Sequence, residues 1–186
     1  MSVDGILRDA EQKMGKSLDH FQNELTTIRT GRANPALIEH INVPYYGTPT
    51  PLNQLAQIST PEARLLMVQV YDRSQIGAVE KAIRDSNLGL NPASDGHVIR
   101  VPIPPLTEER RREYVRMVKS RAEDARVAVR NIRRDEIHRI HDQEKAGEVP
   151  EDQAKRSQEQ LQKITDLHVA QVDNLATRKE AEVMEV

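Results

Sequence analysis

Between residues 108 and 145 the chain has no proline, and its apolar residues advance by threes and fours: Val115, Val118, Ala122, Ala125, Val129 and Ile132. The line then drifts to Ile137 and Ile140, and Val118, Val129 and Ile140 stand eleven residues apart, three turns of an ordinary helix. Such a pattern commits the segment to one helix, roughly 55 Å long at about 1.5 Å per residue, with one apolar face to bury. Gly147 and Pro150 mark a tight turn after it, and Pro150 suits the first turn of a last helix, where its missing N–H costs little. In that helix Leu161, Val172 and Val183, and Ile164, Leu175 and Val186, again recur at elevens.

A third stripe opens the chain. Residues 2–29 read as a helix, with Leu7, Met14, Phe21 and Ile28 at sevens and Leu18 and Leu25 four residues after Met14 and Phe21. None of the three helices can bury its stripe alone, and a three-helix bundle is the economical solution. The stretch between the first two differs in kind. Residues 31–105 hold nine of the ten prolines, and Pro35 disfavours helical backbone at Asn34. Strands are expected at 36–43, 64–71 and 97–103, and a short helix over Ser74–Asn87 with Gly89 beyond its end. The Tyr46–Pro51 and Ser94-Asp95-Gly96 segments carry turn chemistry. The expected fold is α+β: a long antiparallel three-helix bundle from residues 1–30 and 106–186, with a small α/β domain, 31–105, inserted between helices one and two. Thr30, Gly31 and Arg32 on one passage, and Pro102, Ile103, Pro104, Pro105 and Leu106 on the other, form a plausible elbow between them.

Composition excludes several chemistries. There is no Cys, so disulfides, thiolate metal sites and cysteine nucleophiles are absent. No apolar run approaches the roughly 20 residues of a membrane span. The first fifteen residues mix acids with bases and lack a signal-peptide core, so a cytoplasmic address is expected. Net charge is only −2, but it is unevenly spread. Glu108–Arg134 carries ten Lys/Arg and five Asp/Glu, whereas Asp142–Val186 carries six and eleven. Such asymmetry can orient a protein on a polyanion.

Several strings carry a resemblance. They are Ile28-Arg29-Thr30-Gly31-Arg32-Ala33-Asn34-Pro35, Tyr45-Tyr46-Gly47-Thr48-Pro49-Thr50-Pro51-Leu52, Ile99-Arg100-Val101-Pro102-Ile103-Pro104-Pro105-Leu106-Thr107-Glu108-Glu109-Arg110-Arg111 and Ala125-Arg126-Val127-Ala128-Val129-Arg130-Asn131-Ile132-Arg133-Arg134-Asp135. In order and spacing, over essentially the whole chain, they resemble bacterial ribosome recycling factors. The resemblance implies an L-shaped, monomeric, non-enzymatic factor. It would bind the post-termination ribosome and, with elongation factor G and GTP hydrolysis by that partner, split it into subunits. It implies no cofactor.

Candidate RNA-contacting residues follow from both lines of reading. Arg112, Arg116, Lys119, Arg126, Arg130 and Arg133 each lie one residue after a stripe position or its extrapolation, on a flank of helix two about 100° from its core. Arg126–Arg134 holds four arginines and no acid, and the arginine fork suits phosphate. By resemblance Arg111, Arg130 and Arg133 match positions used on large-subunit ribosomal RNA, so the candidate set is Arg29, Arg32, Arg111, Arg126, Arg130, Arg133 and Arg134. An ordinary solvated face with i, i+4 pairs is the competing reading. His138 and His141 have a spacing that can suit a metal, but no further ligand cluster is evident, and no metal is expected. His168 falls on the stripe of the last helix and reads as a core-edge residue. Of Tyr45 and Tyr46, one is expected inside the insert and the other at a turn or facing a partner. Two other classes stay open at this point: a helical scaffold binding proteins through its acidic helix, and an enzyme housed in the insert. No acid, base or nucleophile cluster supports the latter.

Overall fold

A computed structural model describes residues 2–185. Helix α1 spans Val3–Thr26, capped by Ser2, whose Oγ accepts the Gly5 N–H at 3.1 Å. Its buried line is Val3, Ile6, Ala10, Met14, Phe21 and Leu25, while Leu7 and Leu18 lie half-buried beside it. The seven-residue spacing thus found the seam but missed its small and early members. The helix also stops three residues short of the expected end. The hydroxyls of Thr26 and Thr27 donate to the carbonyls of Asn23 and Glu24, and the last backbone bonds tighten to i→i−3.

Helix α4 spans Glu108–Lys145 and α5 Glu151–Met184. Between them Gly147, at φ 74°, donates to Glu144 O and Glu148 donates to Gln143 O, the paired bonds of a Schellman stop. The three helices close two apolar layers. One holds Ile6, Met14, Val129, Ile140 and Leu161, and the other Phe21, Ile28, Val118, Val172 and Val183. That composition makes α4 antiparallel to both α1 and α5. Of the three pairs, α1 and α5 approach most closely, because the buried line of α5 includes small residues: Ala154, Ser157, Thr165 and Ala176. Ser157 and Thr165 hydroxyls donate to carbonyls one turn back, so neither costs an unmade bond. His168 is 7% exposed, with Nδ1 2.7 Å from Ile164 O. Val186, last on the sequence stripe, lies outside the described residues.

On α4 the buried line passes through Glu136, not Ile137, which is only half-buried. The step Val129–Glu136–Ile140 keeps the three-and-four rhythm, so a charged residue occupies a core position that hydropathy skips over.

The backbone divides into two compact units, one of residues through Ile28 with Glu109–Met184, the other Arg29–Glu108 with Glu185. In the second unit, here the head, β1 (Asn42–Tyr45) and β2 (Thr48–Pro51) form a hairpin. A four-stranded antiparallel sheet has the order β3 (Ala56–Glu62), β4 (Leu65–Val70), β6 (Ile99–Pro102), β5 (Ala93–Ser94). A one-turn helix, α2 (Leu52–Leu55), and α3 (Ile76–Arg84) complete it. The expected strand at 36–43 is largely replaced by a 3₁₀ turn at Pro35–Leu37, because the Asn34 side chain accepts the Ala36 N–H and Pro35 starts the turn. Strand β3 went unseen in the sequence, its exposed Gln57, Ser59 and Thr60 giving little apolar signal. The head core, including Ile38, Leu52, Leu66, Val79, Ile83, Ile99 and Ile103, is drawn wholly from the head.

Candidate nucleic-acid interface

Helix α4 sets the direction of each arginine by its distance from Val118 and Val129, at about 100° per residue. Arg111 lies seven residues before Val118 and so sits on the core line itself. Arg133, four after Val129, sits at its edge. Both are half-buried, and in each the Nε is enclosed without an acceptor. Neither has an acidic partner among the described residues. Packing therefore fixes the stems of two guanidinium groups whose charge nothing nearby cancels, which lowers the ordering cost of meeting an anion.

The other arginines differ. Arg130 is 55% exposed and its nearest carboxylate, Glu123, stands 3.9 Å away. Arg134 turns to the Asn131 side chain. Arg126 is engaged: its Nε lies 3.1 Å from Glu123 and its Nη1 2.6 Å from Asp173 on α5. The acid-free run from Arg126 to Arg134 thus borrows its acids from outside, Glu123 one turn earlier and Asp173 across the groove. Arg126 reads as a clasp between helices, formed with an acid 47 residues away in sequence. Arg116 donates to the carbonyl of Arg112 at 3.4 Å.

Of the two arginines flanking Gly31, Arg32 pairs with Glu185, while Arg29 is half-buried and has no acidic partner among the described residues. Gly31 adopts φ 76°, and a Cβ there would meet Leu106 Cγ at 3.6 Å. Pro102 ends β6, paired with Leu65, and Ile103 is buried with its N–H on Arg64 O at 2.8 Å. Pro102 thus ends the head sheet and Ile103 packs into the head core, while Pro104, Pro105 and Leu106 lie outside any helix or strand.

Among the described residues no three His, Asp or Glu side chains gather as a metal ion requires. His138 is exposed, and His141 lies 3.7 Å from Glu144. Among the described residues no helix is long and apolar enough to cross a membrane.

Sequence comparison matches residues 21–184 to the ribosome recycling factor family. A ribosome-recycling factor of Thermomicrobium roseum is 54% identical over 184 residues, covering 99% of this chain and 100% of that one. One from a Geobacillus species is 55% identical over the same length and coverage. A solution structure of a ribosome recycling factor superposes with a TM-score of 0.76 at 45% identity, covering 100% of this chain and 99% of the other. A second structure has a TM-score of 0.67, also at 45% identity and covering 100% of each chain. It comprises models for the T. thermophilus ribosome recycling factor and the E. coli elongation factor G bound to the E. coli post-termination complex.

Proposed function

The chain belongs to the ribosome recycling factor family, and from that membership we propose that it recycles ribosomes in the cytoplasm. It binds the post-termination ribosome and, with elongation factor G and the GTP hydrolysis of that factor, separates the subunits for a new round of translation. The observation that carries this reading is identity above half along the full length of a relative of the same size. Its work is binding and displacement as a monomer, with no chemistry or cofactor of its own.

The arginine face of α4 supports contact with large-subunit ribosomal RNA. Arg111 and Arg133 supply anchored charges, and Arg130 and Arg134 supply exposed ones. Arg126 contributes mainly by holding α4 to α5. Arg29 and Arg32 extend the positive surface beside Gly31. The passages Thr30–Arg32 and Pro104–Leu106 serve as the hinge, since motion between compact units is the default where few chain segments cross.

Co-sedimentation with ribosomes, followed by light-scattering measurement of subunit splitting with elongation factor G and GTP, tests the reading. Binding and factor-dependent splitting are expected. The joint change Arg130→Ala and Arg133→Ala is expected to weaken binding with unchanged circular dichroism, each lost charge-assisted bond being worth about 1.5–3 kcal/mol before compensation. Unchanged affinity in a folded variant would remove the RNA assignment.

A further inference from the structure

The arginines of α4 are not equally free to meet an anion. Arg133 has no acidic partner among the described residues, and Arg126 has two, Glu123 and Asp173. Arg130 stands between these extremes. The acid beside it is again Glu123, whose Oε1 lies 3.9 Å from the Arg130 Nη1. One carboxylate is thus shared by two arginines of the same flank. Helix geometry brings this about. Glu123 and Arg130 are seven residues apart and point within about 20° of one another, with Arg126 roughly one turn from each.

Glu123 is also held in place. Its Oε2 lies 3.1 Å from the Arg126 Nε, and the Arg126 Nη1 is gripped from the other side by Asp173 at 2.6 Å. The Arg126 side chain is 23% exposed, against 55% for Arg130 and 56% for Glu123. The line Asp173–Arg126–Glu123 therefore runs from the clasp between α4 and α5 out to an exposed guanidinium. Asp173 alone matches the charge of Arg126, so the second carboxylate is surplus to the clasp. Nor does its approach to Arg130 add much to the fold, since exposed pairs contribute little to stability.

What a carboxylate fixed at this point does is oppose phosphate. A phosphate oxygen that bonds Arg130 must displace Glu123 from the guanidinium or lie beside it as a like charge, and either course weakens binding. Arg133, with no carboxylate near, carries no such penalty. Release matters as much as capture for a factor that must leave one ribosome to act on the next.

Resting on the RNA reading of this face given above, we propose that Glu123 is a built-in competitor for the phosphate that Arg130 meets. It holds down the affinity of α4 for ribosomal RNA and so lets the factor leave.

The test uses the full chain carrying Glu123→Gln, which keeps the side chain's size and removes its charge. At low salt, where exposed charges are least screened, the variant is expected to bind ribosomes about threefold or more tightly than the parent, with unchanged circular dichroism. The gain is expected to vanish when Arg130→Ala is already present, because the competition acts on that guanidinium. With ribosomes in excess, multiple-turnover splitting by the Gln variant with elongation factor G and GTP is expected to slow more than single-turnover splitting. An equal gain with and without Arg130 overturns the proposal, making Glu123 one more negative charge in a general field. Parental affinity of the Gln variant overturns it as well, when Arg130→Ala by itself weakens binding. Tighter binding with parental multiple-turnover splitting overturns the role in release. Should Arg130→Ala bind as the parent does, the RNA reading of the face has failed, and this proposal falls with it.

Discussion

Lys13 on α1 reaches Glu136 on α4 at 3.4 Å, and the Glu136 side chain is only 1% exposed. Asp9 and Arg139 complete the cluster: Asp9 lies 2.8 Å from Lys13 and 2.9 Å from Arg139, and Arg139 lies 3.4 Å from Glu136. Lys13 and Arg139 keep their stems along the bundle and their charges near water, at 43% and 46% exposed. Two carboxylates therefore share two cations at the edge of an apolar layer, and one carboxylate is inside it. Such a group fixes which faces of α1 and α4 meet more than it adds stability, since desolvation offsets much of the attraction.

Replacing Glu136 by Leu is expected to leave the bundle folded and as stable as before, or more stable by about 1–4 kcal/mol. Replacing it by Ala leaves a hole in the Met14–Val129–Ile140 layer and should cost about 2 kcal/mol or more. Urea unfolding of the parent and both variants checks the ranking; a Leu variant well below the parent would show that the ionic cluster holds the helices together.

The same cluster gives a pH signature. Burial, then contact with Asp9, pushes the Glu136 carboxyl above its usual 4.5. Lys13, then Glu136, hold Asp9 down to about 2. The signs are opposite. The raised Glu136 binds its proton more tightly when folded, so its contribution is full below about 4.5 and fades as pH rises through the folded value. Asp9 contributes above 3.8 and fades as pH falls toward about 2. Stability of the parent minus that of Glu136→Gln should therefore decline as pH rises from 4.5. A flat difference curve would mean that Glu136 ionises normally in the fold.

Arg126 and Arg133 should separate cleanly. Arg133→Ala is expected to reduce the slope of log affinity for ribosomes against log salt by roughly 0.7–0.9, one phosphate contact, with little change in melting. Arg126→Ala should leave that slope alone and lower stability by up to about 1 kcal/mol, through loss of the Glu123 and Asp173 pairs. Equal slopes for the two variants would return Arg126 to the RNA face.

The three long helices were legible because a single periodicity, read at Val118, Val129 and Ile140, reports a face that tertiary structure must bury. Periodicity and the acid-free run Arg126–Arg134 marked Arg130 and Arg133 as a charged flank, and only the family strings pointed to ribosomal RNA as its partner. Other features left weaker traces. Glu136 looked polar, so the stripe was drawn around it to Ile137, although its spacing from Val129 and Ile140 fits the core line. The Arg126 clasp depends on Asp173, 47 residues away in sequence, and no local pattern announces it. Strand β1 was displaced because the Asn34 side chain and Pro35 favour a turn where β-branched Ile38 suggested extension. The sequence leaves open which of Tyr45 and Tyr46 is buried, and the positive φ of Tyr46 is a property of the folded hairpin alone.

Gly31 offers the most direct test of the hinge. At φ 76° it occupies backbone space that β-branched residues avoid, yet a Cβ would meet Leu106 only at an ordinary 3.6 Å. Space is thus not the constraint; the dihedral is. Asn tolerates this region, so Gly31→Asn is expected to retain the observed passage at small cost while narrowing its range. Val does not, so Gly31→Val should push the passage toward negative φ, at about 1–2 kcal/mol if the observed conformation is kept. Neither change touches the arginines of α4. Both variants should therefore bind ribosomes alone with near-parental affinity. In stopped-flow light scattering with elongation factor G and GTP, Val should slow splitting severalfold and Asn much less. Loss of binding in the Val variant would place the defect at the end of α1 and not in motion. Parental splitting by both variants would mean that freedom at residue 31 plays no part, leaving the passage Pro104–Leu106 to account for any movement.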